Sequence, residues 1–268
     1  MENRSPKACY MAEHGLSLLV ECDGFRLLYD TGASPAFLNN ARSMGIDLHD
    51  LDALVVSHNH YDHAGGITAL FAHTQKSIPL YLGHAFFEER YSVKTDGILD
   101  IGSSVSCEFL DARKIPVTEV SSQPIELYPG VYVLSGFRTR IPEEAPPKSV
   151  LRGVRTALRQ DTFEDEVAVI LRTENELCLL SGCSHNGLIS MCRYVESVFG
   201  RPVTTFIGGT HLMNSSQYRI EFTCNQIKRS SIRRLGACHC SGAEATEFFE
   251  KHLPGFFRNQ VGSTVSVE

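Results

Sequence analysis

No run in this sequence is long and apolar enough to serve as a membrane-spanning helix, which takes about 20 mostly apolar residues. Residues 1–12 lack the apolar core of a secretory signal, so a cytoplasmic location is expected. Positive charge is not in excess either. Lys and Arg number 25 against 31 Asp and Glu, a formal net charge of −6, which argues against general binding to nucleic acid or to a membrane surface. The nine cysteines contain no C-x-x-C pair, are odd in number, and are scattered from Cys9 to Cys240. That pattern counts against a zinc ribbon and a disulfide framework; most are expected to be reduced, buried, small apolar residues. A Pro- or Ser-rich linker is also missing, so residues 1–268 are read as one domain. At 43% hydrophobic and 21% charged, the composition is that of a globular chain able to bury a substantial core.

What is present is concentrated in one stretch, Ser57-His58-Asn59-His60-Tyr61-Asp62-His63-Ala64-Gly65-Gly66. His58, His60, Asp62 and His63 put four metal-ligand side chains within six residues. Imidazole nitrogen and carboxylate oxygen suit zinc, iron or manganese. Residues 51–56 before it are mostly apolar, and the glycine pair precedes a helical pattern. The stretch therefore reads as a strand end, a ligand-bearing loop and a helix start. In extended backbone, residues i and i+2 face the same side, so His58 and His60 can share one ion. Asp62 and His63, beyond the turn, face a second position nearby.

Elsewhere, Asp23-Gly24 between apolar runs at 16–22 and 25–30 predicts a hairpin. Ser34-Pro35 predicts a helix start, with Phe37, Leu38, Ala41 and Met44 as its buried stripe and Gly45 as its end. Strands are expected at 54–56, 78–82, 125–134 (around Pro129-Gly130), 167–171, 177–181, 203–207 and 261–267. Helices are expected after Gly66, through Ile189, Cys192, Val195 and Phe199, at about 215–235, and around Phe248 and Phe249. Residues 136–165 carry Pro142, Pro146 and Pro147, many charges and little periodicity, and are read as a surface segment and candidate lid. Strands followed by mixed strands and helices in both halves suggest two sheets with helices outside, an α/β sandwich.

Three more histidines share the setting of the first cluster. His185, His211 and His239 each follow an apolar strand, in a short Gly-containing loop before a helix. Strand ends on one sheet edge are where such folds gather ligands.

With these residues in view, H-x-H-x-D-H resembles the signature of the metallo-β-lactamase fold superfamily. More narrowly, the chain is similar to the branch named for a dihydropterin ribofuranosylaminobenzene phosphate synthase. The matching segments are Glu13-His14-Gly15-Leu16-Ser17, Tyr29-Asp30-Thr31-Gly32, the histidine cluster and Asp165-Glu166. They continue through Gly182-Cys183-Ser184-His185, Gly208-Gly209-Thr210-His211-Leu212 and His239-Cys240-Ser241-Gly242. The resemblance implies a four-layer αββα sandwich with one or two metal ions, zinc first and iron or manganese as alternatives. By motif, His58, His60 and His185 bind one ion, and Asp62, His63 and His239 the second. Many members bridge the two metals with an aspartate in a Gly-Asp dipeptide; here Gly182 precedes Cys183. A thiolate there either bridges or binds zinc, or Cys183 is a buried residue beside a weak second site. Asp165 is a weaker ligand candidate, set against an exposed acidic loop.

The implied chemistry is metal-activated water attacking a small, anionic ester, lactone or phosphoester. Asp62 is a catalytic candidate that orients the water as well as binding metal, and His211 one that donates a hydrogen bond to the substrate or its leaving group. Asp30 is expected to orient a ligand histidine. Lys228, Arg229, Arg233 and Arg234 on the long helix, with Arg138, Arg140 and Arg152 on the lid, could hold an anion, although a charged helix is more often a solvated face. A transferase-like synthase uses the same metal site. A non-catalytic ligand-binding protein on this fold is the remaining reading, and the near-complete ligand set argues against it. Neither nucleic acid nor membrane is expected as a partner, and the sequence sets no oligomeric state.

Overall fold

The computed structural model describes residues 1–268. The first half runs β1 (Leu18–Cys22), β2 (Phe25–Tyr29), α1 (Ala36–Ser43), β3 (Ala53–Val55), α2 (Tyr61–Ala64), α3 (Ile67–Thr74) and β4 (Leu80–Gly83). Next come β5 (Arg90–Lys94), β6 (Gly97–Asp100), α4 (Cys107–Ala112), β7 (Val117–Val120), β8 (Ile125–Tyr128), β9 (Val131–Leu134), β10 (Val150–Arg152) and β11 (Arg159–Gln160). The chain closes with β12 (Ala168–Arg172), β13 (Leu177–Ser181), α5 (Leu188–Phe199), β14 (Thr205–Gly209), α6 (Gln217–Arg229), β15 (Arg234–Cys238) and α7 (Gly242–His252).

Strand alternation sorts the apolar side chains into layers. In β2, Leu27 and Tyr29 face the second sheet, while Leu28 faces the helices. In β13, Cys178 and Leu180 point between the sheets, while Leu177 and Leu179 pack under α5 and its neighbours. One core therefore lies between a five-stranded sheet (β1-β2-β3-β4-β7) and a six-stranded sheet (β15-β14-β13-β12-β9-β8). Two more lie outside, one under α1, α3 and α4 and one under α5, α6 and α7. The result is the αββα four-layer sandwich. No helix is long and apolar enough to cross a membrane.

Register positions the site. The strands β2, β3, β4 and β7 are mutually parallel, as are β13, β14 and β15. Parallel strands end on one edge, so the loops after β2, β3, β13, β14 and β15 meet there. The two sheets are tied near that edge by Tyr29 Oη donating to the Val167 carbonyl (2.7 Å) and Val167 N–H to the Ser57 carbonyl (2.7 Å).

Three expectations change. The helix expected to about residue 235 stops at Arg229, where the Ser230 hydroxyl bonds back to the Ile227 carbonyl and accepts from Ile232 N–H. Arg233 and Arg234 consequently leave the helix, and Arg234 opens β15. Residues 261–267 form a turn and irregular chain, not a strand. Within 136–165, β10 and β11 join β5 and β6 in a small third sheet, and Glu144, Arg152, Asp161, Phe163 and Asp165 are buried. Strands of two or three residues are too short to show a period.

Candidate metal centre

The loop after β3 carries His58 and His60, α2 carries Asp62 and His63, and the loop after β13 carries Cys183 and His185. His58 Nε2 lies 3.1 Å from His60 Nδ1 and 3.2 Å from His185 Nε2. All three residues are buried. Burial pushes His58 and His185 well below the ordinary imidazole value and His60 to about 3, so the rings are neutral. The Ser57 hydroxyl donates to Asp30 (2.8 Å), an acceptor only, and so accepts from His58 Nδ1 (2.9 Å), which leaves His58 Nε2 bare. Phe163 stacks on His185, with centroids 3.7 Å apart and planes 6° apart, and meets the rings of His58 and His60 edge-on.

On the other side, His63 Nε2 is 3.1 Å from His239 Nε2 and 3.8 Å from Asp62 Oδ2, and His239 Nε2 is 3.2 Å from Asp62 Oδ2. His63 Nδ1 donates to Asp30 Oδ2 at 2.7 Å, the orienting contact expected of Asp30. Burial opposes a charge on His63, but Asp30 and Asp62 outweigh it and hold the ring up at about 9. Burial likewise opposes the Asp62 carboxylate. His63, the hydrogen bond from His14 and the neighbouring His239 ring outweigh it and hold Asp62 well below the usual range. Cys183 Sγ sits 3.2 Å from His63 Nε2 and shares a ligand-sized cluster with His58 and His63. Burial pushes its thiol up, so a thiolate there needs a cation beside it.

These donors fit an ion. Ligand atoms on a tetrahedral zinc with bonds of about 2.0–2.1 Å are separated by roughly 3.3–3.4 Å. The first triad's two measured separations and two of the three in the second fall close to that. In the first triad, buried neutral nitrogens face one another where a cation is the matching partner.

Backbone geometry holds the donors in place. Asp30, Ser184, His211 and His239, at the ends of β2, β13, β14 and β15, have φ of 62, 56, 50 and 52°, and Phe163 has 51°. Left-handed backbone is uncommon for such residues and clusters where function constrains the chain. Gly182 approaches Ser57 so closely that a Cβ there would collide with its hydroxyl. His185 N–H and Asn186 N–H donate to Glu166 (2.7 and 2.9 Å), whose buried carboxyl is pushed up to about 7.

Sequence-read residues fare differently. His211 is half-buried beside His185 (centroids 4.2 Å), with a buried, unpartnered Nδ1. Asp165 is neither in an exposed loop nor among the converging donors. It accepts from Asn59 N–H (2.8 Å) and Arg90 (3.2 Å), and so anchors the loop carrying His58 and His60. Arg152 pairs with Glu164 (2.9 Å) and Arg234 with Glu176 (3.3 Å), while Arg138, Arg140, Lys228, Arg229 and Arg233 are exposed. Residues that local spacing did not flag are Phe163, Glu166, Asn3 and His14. His14 Nε2 is 3.1 Å from Asp62 Oδ2, and Asn3 Oδ1 is 2.9 Å from His239 Nδ1.

Six ligand-type side chains at one edge of an αββα sandwich define a class of protein built around a metal centre. Within that class the assignment is direct: residues 11–164 match the metallo-beta-lactamase superfamily, and the chain belongs to it. It is 28% identical to the 7,8-dihydropterin-6-methyl-4-(beta-D-ribofuranosyl)-aminobenzene-5'-phosphate synthase of Methanocaldococcus jannaschii, over 96% of this chain and 90% of that protein. The solved structure of Tm1679, described as a metal-dependent hydrolase of the beta-lactamase superfamily, is 27% identical with a TM-score of 0.84. It covers 99% of this chain and 96% of its own. The metallo-beta-lactamase fold protein YhfI of Bacillus subtilis shares the fold at 14% identity and a TM-score of 0.56, covering 92% of this chain and 91% of its own.

Proposed function

We propose that this protein is a metal-dependent hydrolase acting with water on a small, anionic ester, lactone or phosphoester. The observation that carries the reading is the convergence of donor atoms in two adjoining triads. His58, His60 and His185 are the ligands of one position; Asp62, His63 and His239, with Cys183 beside them, those of the other. Nitrogen, carboxylate and sulfur together favour zinc over iron or manganese. When bound, such an ion lowers the pKa of water to about 7 and polarises a carbonyl or phosphoryl oxygen.

The chain's own groups do the rest. Asp30 and Ser57 hold ring protons on the far side of His58 and His63, so that His58 Nε2 faces the site bare, while the Nε2 proton of the cationic His63 ring is the one that metal binding would release. Asp62 accepts a hydrogen bond from the attacking water and steers it. His211, half-buried beside His185, donates a hydrogen bond to the substrate or its leaving group.

Metal content and stoichiometry of the wild type and His185→Ala test the ligand set; a His185→Ala protein with unchanged metal content overturns that ligand. The similarity to the synthase over 96% of this chain favours a second reading, in which an amine replaces water as the attacking group. Product analysis on phosphoester, lactone and amine-acceptor panels separates the two.

A further inference from the structure

We propose that Asn3 prepares the second triad for its ion by fixing the ring tautomers of two histidines, His239 and His14. The inference rests on reading Asp62, His63 and His239 as ligands.

Amide oxygen and nitrogen look alike, and a flip is settled by the partners. Here two backbone groups settle it independently. Gly15 N–H, which only donates, points at Asn3 Oδ1 (3.2 Å). The His239 carbonyl, which only accepts, faces Asn3 Nδ2 (3.3 Å). The remaining contacts then have one solution. His239 Nδ1, 2.9 Å from Asn3 Oδ1, carries a proton and donates it, so neutral His239 has a bare Nε2. That nitrogen faces His63 Nε2 and Asp62 Oδ2 at 3.1 and 3.2 Å.

Asn3 Nδ2 also donates to His14 Nδ1 (3.1 Å), which makes that nitrogen an acceptor and leaves the neutral ring's proton on Nε2. His14 Nε2–H then donates to Asp62 Oδ2 (3.1 Å). His14, with 39% of its side chain exposed, is therefore a positioning residue that steadies the Asp62 carboxylate, not a ligand. Glu2 reinforces the arrangement by accepting from His239 N–H (2.8 Å). A short arm before β1 thus sets the proton pattern of the second position, and no hydrogen bond joins it to the first triad.

Two variants of the full chain separate the roles. Asn3→Asp keeps the acceptor for His239 Nδ1 and Gly15 but removes the donor to His14 and to the His239 carbonyl. Asn3→Leu removes both. Zinc titration of metal-stripped protein against a chromophoric chelator reads the affinities, and long-range 1H–15N NMR of the histidine rings reads the tautomers. Asn3→Leu is expected to weaken the second zinc by about 10–100-fold and leave the first unchanged. In Asn3→Asp the second zinc stays tight, while the His14 proton moves from Nε2 to Nδ1, toward the new carboxylate. A second zinc bound as tightly by Asn3→Leu as by the wild type overturns the proposal, as does a wild-type His14 protonated on Nδ1. If the wild type binds no second zinc, the ligand reading fails instead; the wild-type tautomers, read in the metal-free protein, still decide the role of Asn3.

Discussion

The two triads share a loop and a fold edge, yet their electrical surroundings are opposite. His58, His60 and His185 form a neutral, aromatic-walled pocket in which burial disfavours any proton. His63 and His239 sit among carboxylates and a thiol, where Asp30 and Asp62 hold His63 up at about 9. A cation entering the first position meets lone pairs alone, whereas at the second it also neutralises charge. The first position thus depends on ring placement, and the second on charge balance and hydrogen bonding. That difference predicts which substitutions each will tolerate.

His58→Ala is the most damaging test, because both measured contacts of the first triad run through His58 Nε2. The variant is expected to lose the first equivalent of metal and to turn over substrate no faster than the buffer control, with an unchanged circular dichroism spectrum. Retained activity would count against the whole reading. Asp30→Asn comes next. Asp30 accepts from Ser57 N–H (2.7 Å), the Ser57 hydroxyl and His63 Nδ1, and an amide cannot accept from all three. The second zinc is expected to weaken by about 10–100-fold, the first by less, since His58 feels Asp30 only through Ser57. Equal losses in a chelator competition would erase the contrast between the triads. Cys183→Ser sharpens it further. Cobalt-loaded wild type is expected to show a sulfur-to-cobalt charge-transfer band that the variant lacks, while three-imidazole binding at the first position persists. Cobalt bound without the band would remove Cys183 from the donor set.

Much of this site was legible before any coordinates. H-x-H-x-D-H is dense enough to point to a candidate metal site, and His185, His211 and His239 share a strand-end setting that parallel strands convert into one edge. Short apolar runs between turns gave the buried strands, and the resemblance supplied the layer order. What stayed hidden depends on pairing across the fold. Asn3 contacts a residue 236 positions away, and no spacing rule links them. Phe163 lies in a segment whose two short strands are too brief to alternate visibly. Asp165, weighed as a ligand against an exposed acidic loop, is neither, because its partner Arg90 is remote in the sequence. The identity of Cys183 was plain, but whether its sulfur points at the donors was a matter for geometry alone.

The smallest expected effect comes from Phe163→Leu. Phe163 is 1% exposed and stacks on His185 without touching the second triad's histidines. A parallel aromatic pair of this kind contributes about 0.5–1.5 kcal/mol beyond the area it buries. Leucine keeps the site apolar but lets the His185 ring rock out of line with His58. If ring placement governs the first position, its zinc affinity should drop by roughly twofold to tenfold, that energy converted at 1.4 kcal/mol per factor of ten. The second position should not respond. A variant that weakened the second zinc as much as the first would mean that the two positions are mechanically coupled, and the division drawn between them would fail.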